Sequence, residues 1–225
     1  MGDCASRLDK KEIEIHLSET NNKNNNYFKC IPSINTHSEF LIHENNLSTL
    51  ETRKSFYSRK KREFTRKFEE STVSVPAIKE IVIEVQKGIY LTKPGLCFLK
   101  GKPYVAVSLE PNGPCYETFE ADIHKPVWYR IFQNKSLIDY QVVSVTVKSD
   151  DDNHQIGSVN ILISDISDQN VHEKWYNLSQ QGDQKPAIKL RIQYIHNEKK
   201  LYKDLADTCD RLASEVSERI TILQA

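Results

Sequence analysis

Hydrophobic and polar residues alternate through the middle of the chain, a pattern that predicts β-strands. Period-two alternation is clearest in 80–86, 140–148 and 187–195, and Gly, Pro and Asn residues separate the strand-like runs. Because no helical pattern lies between these runs, we predict an all-β fold, an eight-stranded antiparallel sandwich, rather than an alternating α/β sheet. The predicted strands are 80–86, 103–109, 115–121, 126–132, 140–148, 156–163, 174–178 and 187–195.

Apolar residues at helical spacing precede the strands. Within 48–72, four of them recur at intervals of seven, seven and four, which places them on one face of an amphipathic helix. Ser48, with Glu51 three residues later, forms a capping-box pattern and predicts that the helix begins there. The residues of the apolar face are Leu50, Tyr57, Phe64 and Phe68.

The segment 198–225 carries a second helical repeat, which no Pro or Gly interrupts. Its apolar stripe predicts an association element that either packs within the chain or pairs with a partner's helix. The stripe spans fewer than four heptads and includes Cys209, which argues against an independent coiled coil. The stripe residues are Leu201, Leu205, Leu212, Val216, Ile220 and Leu223.

The first residues match a lipidation pattern. Removal of Met1 exposes Gly2, and Ser6 lies at the spacing that N-myristoylation requires. One myristoyl chain binds a bilayer only marginally, with an association constant on the order of 10⁴ M⁻¹, so stable attachment needs a second signal. Cys4 offers a thiol for palmitoylation, whereas Asp3 beside the acceptor glycine argues against acylation. We predict a dually acylated anchor at Gly2 and Cys4.

Asparagine dominates the segment that follows. The run NNKNNN occupies residues 21–26, and such a polar tract buries too little apolar surface to offset its ordering entropy. We therefore predict a flexible linker. The predicted organisation is an acylated anchor at 1–17, the Asn-rich linker at 18–47, a basic-aromatic helix at 48–72, the β-domain at 79–196 and a C-terminal helix at 198–225.

Composition and charge reduce the number of function classes and cellular locations that fit the chain. The chain has 225 residues, with 31 basic and 31 acidic side chains, and no run near the roughly 18 apolar residues that cross a bilayer. Its five cysteines are scattered without a CxxC pair, so they indicate neither a zinc site nor a disulfide framework. These features predict a location at the cytoplasmic face of a membrane. We also predict that the protein is not an enzyme, since the sequence lacks a glycine-rich phosphate loop and a local nucleophile motif.

Short motifs follow one another through the β-region. In chain order they are EIVIEVQKGIYL from Glu80, KPYVAV from Lys102, PNG from Pro111, PVW from Pro126, DDD from Asp150 with IG from Ile156, and KWYNL from Lys174. This series resembles the ordered motifs of C2 domains over about residues 79–196. The resemblance implies a β-sandwich with Trp128 buried in it, acting as a module that docks on membranes or proteins.

Many C2 domains bind calcium between two loops, so the resemblance also implies where such a site would lie. Calcium requires six to eight oxygen ligands, which the family gathers as aspartates from both loops. Here the first loop, residues 90–102, contains no Asp or Glu, and Lys102 stands where the family has an aspartate. We therefore predict no cofactor and interpret the remaining cluster as a solvated hairpin turn. The candidate metal ligands are Asp150, Asp151 and Asp152.

The basic-aromatic helix is the candidate membrane surface. Eight Lys and Arg residues lie between positions 53 and 68, with only Glu63 in opposition. Interfacial helices place aromatic rings at the acyl boundary and basic groups against anionic headgroups, each basic group contributing about 1 kcal/mol. The open alternatives are nuclear localisation, nucleic-acid binding and packing of the helix on the sandwich. The predicted contact residues are Arg53, Lys54, Tyr57, Arg59, Lys60, Lys61, Arg62, Phe64, Arg66, Lys67 and Phe68.

Together these patterns predict a lipid-anchored, calcium-independent adaptor that binds membrane phospholipids. A protein partner is expected on the β-domain or on the C-terminal helix. The alternative is a calcium-dependent phospholipid sensor in vesicle docking or secretion, with the aspartate cluster as its metal site. A third hypothesis is nucleic-acid binding through the basic helix, which we place below the others because an acylated terminus makes the membrane the nearer polyanion.

Overall fold

The computed structural model describes residues 27–32, 34–71, 77–91, 101–151, 154–179 and 186–225. The predicted anchor at 1–17 and the start of the predicted linker, residues 18–26, lie outside the described residues. Within the described part, the chain forms a β-sandwich and a separate layer of helices that precede and follow the sandwich in sequence.

Eight strands form the sandwich, as the alternation predicts. They are β1 (Lys79–Ile89), β2 (Pro103–Glu110), β3 (Cys115–Glu117), β4 (Val127–Ser136), β5 (Val142–Ser149), β6 (Gln155–Leu162), β7 (His172–Asn177) and β8 (Ala187–Ile195). One sheet has the order β4-β1-β8-β7 and the other the order β3-β2-β5-β6, with every pairing antiparallel. The predicted sandwich is confirmed. Its third strand is shorter than predicted, because at Thr118 the side-chain hydroxyl, instead of the backbone carbonyl, accepts the Val105 N–H (3.0 Å).

Alternate residues of the strands fill the space between the two sheets. In β5, Val143, Val145 and Val147 are fully buried, while their neighbours face outward. Burial of one such aliphatic side chain contributes about 1.5–3 kcal/mol. Trp128, predicted inside the sandwich, packs half-buried against this core, and its Nε1 donates to the Pro103 carbonyl (3.3 Å).

Three helices form the second layer. They are α1 (His37–His43), α2 (Leu47–Glu70) and α3 (Glu198–Gln224). The two long helices run antiparallel, since Phe68 near the end of α2 lies against Lys199 at the start of α3, whereas Asn45 contacts Arg219 at the opposite end (2.6 Å). Their facing sides, together with Ile31 from the preceding segment, form a core of their own. Its helical residues are Leu50, Tyr57, Phe64, Tyr202, Ala206, Cys209, Leu212, Val216 and Ile220.

The term all-β therefore describes the sandwich but not the whole chain, which has a second, helical core. The apolar stripe of α3 packs within the chain, one of the two predicted possibilities, and it packs against α2. Cys209 lies in this seam with no exposed surface, and burial raises the pKa of its thiol to about 11. The thiol is therefore a protonated packing group at neutral pH.

The start of α2 differs from the predicted capping box. Asn46 is the N-cap, and its Oδ1 accepts the Thr49 N–H (3.2 Å), so the helix begins at Leu47 and Ser48 lies in its first turn. Asn caps a helix as well as Ser does, because its short side chain reaches the free N–H groups of the first turn. The helix ends at Glu70 rather than at residue 72.

The latter part of the predicted linker is not a tether in this structure. Residues 37–43 form α1, and the segment 27–32 (hereafter the N-terminal segment) lies between the helical layer and the outer face of the β1–β8 sheet. Phe28 is buried beneath the Arg191 guanidinium (4.2 Å), and Ile31 joins the helical core. Two isolated apolar residues carry no periodicity, so the sequence pattern did not reveal this packing.

Candidate functional site

The apolar face of the basic-aromatic helix, now α2, is turned inward. Leu50 and Tyr57 have no exposed surface, and Phe64 stacks on Tyr202 of α3 with ring centroids 6.3 Å apart. A side chain without exposed surface does not contact a bilayer, so the predicted membrane contacts of Tyr57 and Phe64 disagree with this structure. Phe68 is half-buried and lies under the Lys199 ammonium group (5.1 Å). The packing alternative is the one observed, with α3 rather than the sandwich as the covering surface.

Four of the eight basic residues are engaged inside the helical layer, two of them across elements and two within α2. Arg53 lies over the Phe40 ring (4.2 Å), and Lys61 forms an ion pair with Asp210 of α3 (2.7 Å). The remaining two, Lys60 and Lys67, share Glu63, with Nζ–carboxylate distances of 2.8 and 2.9 Å. These two ammonium groups lower the Glu63 pKa, the Lys60 hydrogen bond most, against a smaller opposing effect of burial.

Three arginines remain on the outer side of α2. Arg59, Arg62 and Arg66 are exposed and lie at intervals of three and four residues, so they share one face of the helix, opposite the buried Tyr57. We call this surface the arginine face. Its only ion pair within the described residues joins Arg66 to Glu70 at 3.2 Å, and both side chains are well exposed, so the pair contributes little stability. Lys54 is also exposed, beside this face.

A buried histidine connects α1 to both long helices. The His37 Nδ1 is 2.9 Å from the Tyr57 hydroxyl, and its Nε2 is 3.0 Å from a Glu215 carboxylate oxygen. Glu215 can only accept, so Nε2 carries the proton and the Tyr57 hydroxyl donates to Nδ1. Burial lowers the His37 pKa below its ordinary value and outweighs the opposing effect of Glu215. The linker prediction covered this residue, and its role was therefore missed.

A lysine-rich cleft lies where α2, α3 and the sandwich meet, and no sequence motif had indicated it. Its volume is about 740 Å³. Its walls come from the end of α2, the start of α3 and strands β1, β4 and β8, and Phe68 and Ile78 supply apolar surface. We call it the lysine cleft after its five lysines: Lys67, Lys135, Lys199, Lys200 and Lys203.

The aspartates of the predicted metal loop contribute to the hairpin itself. The Asp150 carboxylate accepts the Lys102 N–H, and the Asp150 N–H donates to the Lys102 carbonyl (3.1 Å), so the β5–β6 turn is joined to the start of β2. Asp151 is exposed, and Asp152 lies outside the described residues, as does most of the first loop. Among the described residues, no three His, Cys, Asp or Glu side chains are placed together to hold a metal ion.

Exposed apolar side chains mark the end of the sandwich where these loops lie. Phe119 is 79 % exposed and has the Arg130 guanidinium 5.6 Å from its ring, and Tyr90 follows the end of β1 with its ring largely in solvent. Val127 starts β4 nearby, paired with Lys87. None of the helices in the described ranges has the length and apolar character needed to cross a membrane.

The predicted lipidation residues Gly2 and Cys4 lie outside the described residues, so lipidation stays a prediction. Of the eleven predicted membrane-contact residues, three now form the arginine face, and the others are buried, paired or set to its side. The arginine face meets the lysine cleft at the Arg66–Glu70 ion pair, since Glu70 lines the cleft. Lys67 and Phe68, which were predicted as part of the same membrane surface, line the cleft instead.

Comparison with known proteins supports the C2 resemblance. The family model "C2 domain" matches residues 79–178, which covers strands β1 to β7. A comparison with curated protein sequences gives no match.

Solved structures align with this chain at low sequence identity. A structure of Extended-Synaptotagmin 2 that contains its SMP domain and two C2 domains aligns with a TM-score of 0.45 and 14 % identity, covering 52 % of this chain and 27 % of that one. A C2 domain of plant Extended Synaptotagmin 1 aligns at 0.44 and 17 %, covering 54 % and 97 %. Human GIVD cytosolic phospholipase A2 aligns at 0.43 and 17 %, covering 54 % and 16 %.

Proposed function

We propose that the protein is a membrane-peripheral adaptor that docks on anionic phospholipids at the cytoplasmic face of a membrane. The observation that carries this proposal is the arginine face: Arg59, Arg62 and Arg66 lie side by side and exposed, while the opposite side of α2 is fixed in the helical core. The C2-domain match of residues 79–178 supports the same class of function. The protein acts by binding rather than by catalysis.

The arginine face supplies only part of the membrane affinity. A basic residue near an anionic surface contributes about 1 kcal/mol, so three arginines contribute about 3 kcal/mol. This binding free energy is typical of a weak, transient complex and is far smaller than the binding free energy of a stable attachment. Acylation at Gly2 and Cys4 is the second signal in this proposal, and a helix packed through Tyr57 gives the arginines a rigid support.

The adaptor acts without calcium in this proposal. The sequence supports this through the absence of acidic residues from the first loop, and the structure supports it through the hydrogen bond that ties Asp150 to the Lys102 N–H. A protein partner would dock on the sandwich, since the apolar stripe of α3 is already covered by α2.

Charge reversal of the arginine face tests the membrane proposal. We expect R59E/R62E/R66E to bind phosphatidylserine vesicles at least about tenfold more weakly than the wild type, since each reversal removes an attraction and adds a repulsion. Vesicle co-sedimentation, with calcium and with a chelator, measures the effect. Lys60 and Lys61 are left unchanged because they pair with Glu63 and Asp210.

A matched variant places the same charge change on the sandwich. Lys87, Lys125 and Lys174 are exposed there, and K87E/K125E/K174E should bind vesicles like the wild type. If this variant loses binding and the arginine variant does not, the membrane surface lies on the sandwich and the proposal is wrong. Binding that rises with calcium, and no longer does so in D150N/D151N, would favour the calcium sensor instead.

The anchor has its own test. We expect Gly2→Ala to move the protein from the membrane to the soluble fraction of cells that express it, because a myristoyl chain can be attached only to an N-terminal glycine. Tandem mass spectrometry of the N-terminal peptide gives the direct readout, with Cys4→Ser as the companion variant that retains the myristoyl group. A free or acetylated N-terminus in the wild type would contradict the anchor.

A further inference from the structure

We propose that the lysine cleft is a binding site for a ligand carrying several phosphate groups, such as the phosphorylated headgroup of an inositol compound. The cleft and the arginine face are different surfaces. The proposal therefore goes beyond membrane docking and does not depend on it.

The carboxylates of the cleft already have cations that come from outside its walls. Lys29 contacts both Glu80 and Glu198, and Arg66 pairs with Glu70. The charge and hydrogen bond of Lys29 lower the Glu198 pKa despite the opposing effect of burial, so this carboxylate is ionised and compensated at neutral pH. The cleft lysines that have no acidic partner of their own therefore keep their positive charge for a ligand.

Two of these lysines have no acidic partner. In the described part of the chain, no carboxylate lies within ion-pair distance of Lys199 or Lys203, and Lys199 is held over the Phe68 ring. Lys200 pairs with Asp204 at 3.5 Å, but both side chains are more than half exposed, so the pair exchanges readily with a stronger anion. Lys135 faces the cleft from β4, with Glu80 3.8 Å from its Nζ.

The arrangement of the lysines indicates the class of ligand. Lys199 and Lys203 lie on α3, Lys67 on α2 and Lys135 on β4, so the ammonium groups surround the cleft instead of converging on one point. Lysine binds phosphate as a mobile point charge, and several separated lysines suit several separated phosphates. A volume of about 740 Å³ falls within the range of small-molecule sites, roughly 300–1,000 Å³.

One more polar group lacks a partner at this site. The Nδ1 of His196, which lines the cleft, is buried and makes no hydrogen bond within the described residues. A buried polar atom usually has a hydrogen-bond partner, so the unpaired Nδ1 is an unsatisfied group beside the cleft, which a ligand could satisfy only after the ring turns toward it.

The test uses the full chain and two probes. Isothermal titration with soluble inositol trisphosphate measures free-headgroup binding. Co-sedimentation with vesicles of phosphatidylinositol bisphosphate, compared with phosphatidylserine vesicles of equal charge, measures lipid binding.

We expect K199Q/K203Q to bind the probe that the wild type binds at least about tenfold more weakly, since this variant removes the two unpaired cations. K125Q/K174Q carries the same charge change outside the cleft and should bind like the wild type. Melting temperatures of both unliganded variants should equal that of the wild type.

Each outcome distinguishes between the hypotheses. Loss of trisphosphate binding in K199Q/K203Q alone assigns the cleft to a phosphorylated polyol, and loss confined to bisphosphate vesicles assigns it to a lipid headgroup. If neither probe binds, or if K125Q/K174Q weakens binding equally, the proposal is wrong. The variant R59E/R62E leaves the Arg66–Glu70 pair of the cleft wall intact and reports membrane docking on phosphatidylserine vesicles separately, so failure of one proposal does not imply failure of the other.

Discussion

Tyr57→Ala is expected to destabilise the helical layer by about 3–5 kcal/mol, the range for removal of a buried aromatic ring. Tyr57 has no exposed surface, lies at the middle of the α2–α3 seam and donates a hydrogen bond to His37. The substitution leaves a cavity and removes that partner. Urea unfolding followed by far-UV circular dichroism measures the loss.

Two companion variants separate the contributions of the ring and the hydroxyl. Tyr57→Phe keeps the ring, so it should cost less, about 1–3 kcal/mol, because it leaves the Nδ1 of buried His37 without a hydrogen-bond partner. Tyr27→Ala removes the same atoms from a site that is 45 % exposed and should cost much less. Both tryptophans, Trp128 and Trp175, lie in the sandwich, so their fluorescence follows the sandwich while circular dichroism follows the helices. Equal stability of Tyr57→Ala and Tyr27→Ala would contradict the packing of α2 on α3.

Gln193→Leu is expected to cost about 3 kcal/mol, although leucine has nearly the same size. Gln193 is fully buried on β8, where its Oε1 accepts the Lys29 N–H (2.8 Å) and its Nε2 donates to the carbonyls of Lys29 (2.8 Å) and Gln169 (2.9 Å). Leucine leaves one donor and two acceptors without partners. Since an unpaired buried group costs more than its hydrogen bond contributes, the loss exceeds that of a simple deletion.

The effect should appear first in the N-terminal segment, which Gln193 holds on the sheet. Limited proteolysis should cut near residues 27–32 faster in Gln193→Leu than in the wild type, with chemical denaturation as the measure of overall stability. Gln141→Leu provides the control, because Gln141 is exposed and its side chain makes no hydrogen bond within the described residues. Equal proteolysis of the two variants would show that Gln193 does not fasten the segment.

The sandwich was predictable because its strands repeat their pattern locally. Val143, Val145 and Val147 alternate with polar neighbours, and this alternation depends only on which face of the strand is buried. The two long helices were predictable for the same reason, with apolar residues returning every three or four positions. The ends of α2 were less predictable: the helix stops two residues earlier than predicted, and its N-cap was misassigned because Ser and Asn are both good N-caps that the sequence does not rank.

The candidate sites were less predictable because they depend on which elements become neighbours. The sequence shows eight basic residues around α2, but only the position of α3 decides that Lys61 is paired with Asp210 while Arg62 is left in solvent. The lysine cleft joins Lys135 with Lys199, residues far apart in the chain, and it has no local pattern. Phe28 in its Asn-rich surroundings likewise gives no periodic signal.

In the sequence, the sandwich lies between α2 and α3, and this order along the chain affects how the protein folds. Helix α2 ends at Glu70, and its packing partner α3 begins at Glu198, after the last strand has been made. At a synthesis rate of about 5–20 residues per second, α2 waits roughly ten seconds on the ribosome with its aromatic face uncovered. Glu80 and Ile195 are paired neighbours in the sheet, so folding of the sandwich closes this long loop and brings the two helices together at little further entropic cost. We therefore expect the β-domain to fold before the helical layer, and a nascent chain stalled before α3 to present a basic, aromatic helix to chaperones and membranes.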